Sequence, residues 1–232
     1  MSAILLATTN VYAAAVTSFT HVGASYERST TNTATKTFTP PAGAQAGDLL
    51  ILTSFVDNGS STITSPPSGW TAIGNNTGAT EYPEGYSYYQ IYNGTDSSWT
   101  ATWSATDTSA GIVVAFRPDN PITTVTTVQF QESDGPSALS DTISSVADTN
   151  APGGRIYMYF LTGRPISTIQ NPVPTILPST GWIHVDGEPL AAEDYMDYAY
   201  KLASAGDAFV STTISTTDAG RQGQHFFIVN AV

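Results

Sequence analysis

The sequence has no cysteine and very little positive charge, with 7 basic against 19 acidic side chains in 232 residues. Without thiols it can build neither a disulfide scaffold nor a thiolate site for zinc or an iron–sulfur cluster. Seven basic residues cannot neutralise a run of phosphates, so nucleic acid is not an expected partner. Charged residues make up only 11%, too few for a coiled coil or an ion-pair-laced helical protein. Long apolar runs are also missing. The stretch Ile4-Leu5-Leu6-Ala7 is broken by Thr8, Thr9 and Asn10, too short and too polar to cross a membrane. No Lys or Arg precedes Arg28, so the start reads as an extended arm rather than a cleaved secretory signal.

Hydroxyls and aromatics are abundant instead. Thr (35) and Ser (24) form a quarter of the chain, and 41% of residues are hydrophobic, enough to exclude a disordered chain. The net charge of −12 suits an exposed surface that repels its neighbours.

The chain reads as one unit written twice. Pro66-Pro67-Ser68-Gly69-Trp70 returns as Leu177-Pro178-Ser179-Thr180-Gly181-Trp182, at an offset of 112. Ala46 to Leu52 matches Gly153 to Tyr159 at offset 107, and Tyr88 to Tyr92 lies opposite Tyr198 to Leu202 at offset 110. Trp103 to Asp107 matches Ile214 to Asp218 at offset 111, and Ile112 to Phe116 lies opposite Gln224 to Ile228.

Each copy reads as strands. Leu49 to Leu52, Ile112 to Phe116, Ile156 to Leu161 and Phe226 to Val229 are short apolar runs of the kind buried on both faces. Trp99, Ala101 and Trp103 alternate with Ser98, Thr100 and Thr102, giving one dry and one wet face. Further strands are expected over 17–24, 34–38, 125–130 and 139–146, with Pro, Gly and Asn turns between. The nearest approach to helical spacing is 191–203. These features predict an all-β chain of two tandem, internally duplicated antiparallel β-sandwiches of jelly-roll or immunoglobulin-like type. The expected division is an arm over 1–16, one sandwich over 17–119 and a second over 120–232. In the repeated Pro-x-x-Gly-Trp box, Gly supplies a turn and Trp fills the gap between sheets.

The set Gly47-Asp48-Leu49-Leu50-Ile51, Pro66-Pro67-x-Gly69-Trp70, the aromatic strand 86–92, Thr100-Ala101-Thr102-Trp103 and Gly111 to Arg117 resembles β-sandwich modules of tailed-bacteriophage structural proteins. Similar modules occur in some secreted bacterial proteins. The second copy keeps the Gly-Trp box but lacks Gly-Asp before its first apolar run. The resemblance implies a fold and a place in a particle. It transfers no catalytic or binding residue.

The chemistry-bearing residues form no recognised constellation. The three histidines stand at 21, 184 and 225, and no Gly-x-Ser-x-Gly elbow occurs. His225 reads as a half-buried strand residue. Asp186, Glu188, Glu193, Asp194 and Asp197 are the only cluster with the oxygen content of a Ca²⁺ site, and they lack a regular calcium-loop spacing. No other cofactor is indicated. Tyr86, Tyr88 and Tyr92 share one strand face, and that face is either core, a subunit contact or a glycan platform. With Ile4, Leu5, Leu6 and Tyr12 of the uncharged arm they are the interface candidates.

The expected function is a non-enzymatic structural component of a phage particle, decorating the capsid or forming part of the tail or a fibre. It would be assembled in the host cytoplasm beside other virion proteins and copies of itself, with a trimer as the expected oligomer. The competing reading is a secreted or surface glycan-binding module.

Overall fold

The computed structural model describes residues 14–56, 61–75, 84–135, 140–143, 153–164, 181–185, 189–190, 194–207, 212–215 and 221–232. Among them there is no helix. The first half supplies β1 (Phe19–Phe38), β2 (Leu49–Val56), β3 (Ile63–Ser65), β4 (Thr71–Asn75), β5 (Glu84–Ile91) and β6 (Trp99–Pro118). The second supplies β7 (Val125–Gly135), β8 (Ser140–Ile143), β9 (Gly154–Arg164), β10 (Ile183–Val185), β11 (Pro189–Leu190), β12 (Asp194–Ala203), β13 (Thr212–Ser215) and β14 (Arg221–Ala231). The segment 191–203, nearest to helical spacing, is strand from Asp194 on: Tyr198 and Tyr200 share one face of β12.

The sheet orders are β1-β6-β2-β5-β4 and β7-β14-β9-β12-β10, all antiparallel. Matched in chain order, β1, β2, β4, β5 and β6 correspond to β7, β9, β10, β12 and β14, and the two sheets have one topology. The ladders also refine the offsets read from sequence. Leu49 sits opposite Phe116 and Ile91, while Ile156 sits opposite Val229 and Leu202. Phe116 therefore corresponds to Val229 and Ile91 to Leu202, one residue from the alignment by residue type. Trp70 and Trp182 keep their match, because Thr71 pairs with Tyr89 and Ile183 with Tyr200. Both boxes turn through a glycine with positive φ, Gly69 at 84° and Gly181 at 89°, a region closed to most side chains. Both tryptophans are buried.

The sheets do not stand as two separately cored sandwiches. Their inner faces pack on each other through one apolar cluster. It takes Leu49, Ile51, Val114 and Phe116 from one half and Ile156, Met158, Phe227 and Val229 from the other. The physical reason is that each central strand is apolar on both faces, and the opposite half is what covers the inner one. The outer face of the first sheet is closed by the sheet's own ends. β1 and β6 are single 20-residue strands, not pairs of short ones. Their pairing is irregular between Ser29 and Thr35. Beyond that break Phe38, Trp99, Ala101 and Trp103 lie against Leu50, Leu52, Tyr86 and Tyr88. In the second half the continuous ribbon is replaced by β7 with β14 and a separate pair, β8 with β13. The second outer cluster contains Tyr157, Tyr159, Trp182, Phe226 and Ile228.

The Gly-Asp motif of the first copy acts as a lock. The buried Asp48 carboxylate accepts hydrogen bonds from Arg117 Nε at 2.9 Å, Arg117 Nη2 at 3.0 Å and the Gln45 amide at 2.8 Å. It joins the first and last strands of the resemblance. In the second half the corresponding rung pairs Arg155 with Asn230, and Arg155 Nη2 donates to the Asp207 carbonyl.

The expected arm boundary at residue 16 falls inside the core. Val16 is fully buried in the shared cluster, and its carbonyl accepts the Gly154 amide at 2.9 Å. The candidates Ile4, Leu5, Leu6 and Tyr12 lie outside the described residues.

Candidate functional site

The polar groups that converge do so on the seam between the two sheets. His225, on β14, is 1% exposed. Its Nδ1 shares a 2.9 Å hydrogen bond with Ser87 Oγ of β5, and Ser87 Oγ lies 2.8 Å from Thr53 Oγ1 of β2. The Phe55 ring lies 4.8 Å from the imidazole, centroid to centroid. Glycine at 85 makes this approach feasible: a methyl group there would stand 2.4 Å from His225 Nε2. Burial holds the imidazole neutral, pushing its pKa down to about 3.

A second histidine crosses the seam in the other direction. His21 Nε2 of β1 lies 3.0 Å from Tyr198 Oη of β12. The ring stacks on Tyr200 at 4.7 Å and meets the edge of Phe116 at 5.6 Å. Burial lowers its pKa and raises that of the Tyr198 hydroxyl, with the nearby Tyr26, Tyr200 and Asp197 pushing the hydroxyl further up. On the ladders Ser87 is the counterpart of Tyr198: Ser87 faces Thr53, and Tyr198 faces Phe160. Each half therefore offers a hydroxyl at the same sheet position to a histidine of the other half.

Ser87 beside His225 has the residue types of a nucleophile and its base. In this packing Ser87 is completely buried and its hydroxyl is engaged by Thr53, so no substrate reaches it. What the arrangement accomplishes is registration, because a buried hydrogen bond is made in only one relative placement of the two sheets. A clasp at the rim adds to it. Asp119 accepts from the Thr17 amide at 2.9 Å and from the Thr17 hydroxyl. The Thr17 carbonyl accepts the Ala205 amide at 3.1 Å. Those hydrogen bonds lower the Asp119 pKa to about 2.

The residues singled out in the sequence fall elsewhere. Tyr86, Tyr88 and Tyr92 are buried in the outer cluster of the first half, which corrects their candidacy for a subunit contact or sugar platform: that face is core. Burial pushes the Tyr88 hydroxyl up to about 12. Of the five acids, Asp186, Glu188 and Glu193 lie outside the described residues, and Asp194 opens β12 opposite Leu190. Asp197 is buried and spent: His184 Nε2 lies 2.5 Å from its Oδ2, and the Tyr198 amide donates to its Oδ1 at 2.8 Å. Among the described residues no group of three His, Asp or Glu gathers as a metal would require. His225 is wholly buried, where the alternation had suggested half burial. Its seam partners Ser87 and Thr53 had no motif to mark them. The available signal was Thr53 and Ser54 interrupting an otherwise apolar strand. No family model, curated protein or solved structure matches the chain.

Proposed function

We propose that the chain is a non-enzymatic structural component of a phage-type particle, placed on the capsid or in the tail or a fibre. The observation that carries this reading is where the resembling motifs lie. Gly47-Asp48 and Arg117 form the lock, Gly69-Trp70 forms a turn and a core plug, and Trp103 and Ile112 to Phe116 are buried. A sequence that spends its distinctive residues on holding a sheet together supports a load-carrying part rather than a reagent. The shared core adds support, since two sheets packed face to face resist shear better than two beads on a linker. Copies of the same chain and other virion proteins are the partners this reading names.

The test is localisation in the particle. Antibody raised against the chain should label purified phage particles at one place, shell or tail, in immuno-electron microscopy. Absence from purified particles would refute the reading. So would specific cleavage of a polysaccharide abolished by one Asp or Glu substitution. Specific retention on a glycan array would favour the glycan-binding alternative instead.

A further inference from the structure

We propose that the seam is an acid-sensitive joint, in which protonation of His225 and His21 separates the two sheets while each half keeps its own outer core. This inference is independent of the virion reading. It rests on two imidazoles, each reaching from one half to a hydroxyl of the other and packed against rings that suit its neutral form.

The surroundings of His225 are these. From β5 comes Ser87; the buried Glu84 of that strand lies on its other face, with Tyr86 and Tyr88. From β2 come Thr53 and the Phe55 ring. In its own sheet the register partners are Phe160 and Glu132. His21 meets Phe116 from β6 and Tyr198 and Tyr200 from β12, with Tyr26 on its own strand acting on Tyr198. The carboxylate nearest in sequence to Tyr198, Asp197, is held by His184. Arg155, on β9, turns to the Asp207 carbonyl. A proton added to His225 puts a charge where burial has removed water, one added to the part-buried His21 puts a charge among the Phe116, Tyr198 and Tyr200 rings, and the relief available is to open the seam.

The architecture lets the seam open without melting the rest. The shared cluster contains no tryptophan. Trp70, Trp99 and Trp103 belong to the first outer cluster, and Trp182 to the second. Tryptophan emission therefore reports the outer cores, and amide exchange on β2 and β14 reports the seam.

The experiment uses the full chain from about pH 7.5 to about pH 4, with hydrogen exchange, small-angle scattering and tryptophan emission read together. On acidification the wild type should gain exchange on β2 and β14 and expand, with unchanged tryptophan emission. In the H21Q/H225Q variant the midpoint should fall by about one pH unit or more. If that variant does not fold, H21Q and H225L singly replace it, each expected to lower the midpoint. E84Q, on the other face of β5 from His225, should leave the midpoint in place. Identical pH profiles in wild type and histidine variants would overturn the proposal. So would emission changing in step with exchange, or a lowered midpoint in E84Q.

Discussion

Replacing Gly85 by alanine probes the closest approach across the seam. The added methyl would stand 2.4 Å from His225 Nε2, 2.5 Å from His225 Cε1 and 2.5 Å from Phe55 Cε1. Ordinary contact needs roughly 3.5 Å or more, so two buried rings must each give way by about 1 Å. Neither has room, since Phe55 and His225 are buried. Overpacking of one buried side chain costs about 1–3 kcal/mol, and crowding two places the penalty near the top of that range. The glycine backbone gain on mutation to alanine, about 0.4–1 kcal/mol, offsets part of it. The net expectation is a loss of about 2 kcal/mol, measured by urea denaturation at neutral pH. G206A is the control. Its methyl meets nothing within 4 Å, and its φ of +84° leaves only backbone strain, about 1–2 kcal/mol. The double variant G85A/H225A supplies the coupling. Removing the imidazole makes room for the methyl, so the pair should be more stable than the sum of singles by about 1 kcal/mol or more. A loss below about 0.5 kcal/mol in G85A, or strict additivity with H225A, would refute the seam geometry.

Removing residues 1–18 takes away Val16 and the Thr17 clasp and should lower the melting temperature sharply, as read by calorimetry. The Asp119 carboxylate, depressed to about 2 in the fold, contributes stability that is present above its unfolded pKa near 3.8 and lost as pH falls toward 2. D119N should therefore flatten the stability profile across that window, as read by urea midpoints between pH 2 and pH 5. His225 differs in charge, its favoured form being neutral, but it too is favoured deprotonated and gives the same slope. Its pKa falls from 6.5 to about 3 on folding, so stability is lost as pH drops through that interval, by up to about 4–5 kcal/mol. H225Q should remove that component from denaturation curves taken at pH 7 and pH 4.5. D48N should loosen the end of β2 in hydrogen exchange more than the middle of β12, because Asp48 joins Gln45 and Arg117 at that rung.

Much of the secondary structure was legible in particular residues. Leu49 to Leu52 and Ile112 to Phe116 read as doubly buried strands and occupy central places in the sheet. The Gly-Trp boxes read as turns with a buried ring, and both are. Alternation also assigned Tyr86, Tyr88 and Tyr92 to one face but left that face's destination open, because a strand pattern reports sides and not what lies on each side. The 20-residue strands were missed because bends within β1 and β6 look, in sequence, like ends. The acidic cluster suggested a cation site. For Asp197, however, the fold brings a histidine of the neighbouring strand, with His184 Nε2 2.5 Å from its Oδ2.

The sequence by itself determined the all-β class and the turns, since both follow from local chemistry: branched and aromatic side chains alternating with period two, and glycine where φ must be positive. Only the tertiary structure decided that the two units share one core. A strand apolar on both faces requires two covers, and nothing local says whether the second comes from its own unit or the other. The same holds for the histidines. Ser87 and His225 are 138 positions apart, and no spacing rule joins them. Their meeting is a consequence of two sheets with one topology packed face to face, a long-range fact set by the total burial that each inner face needs.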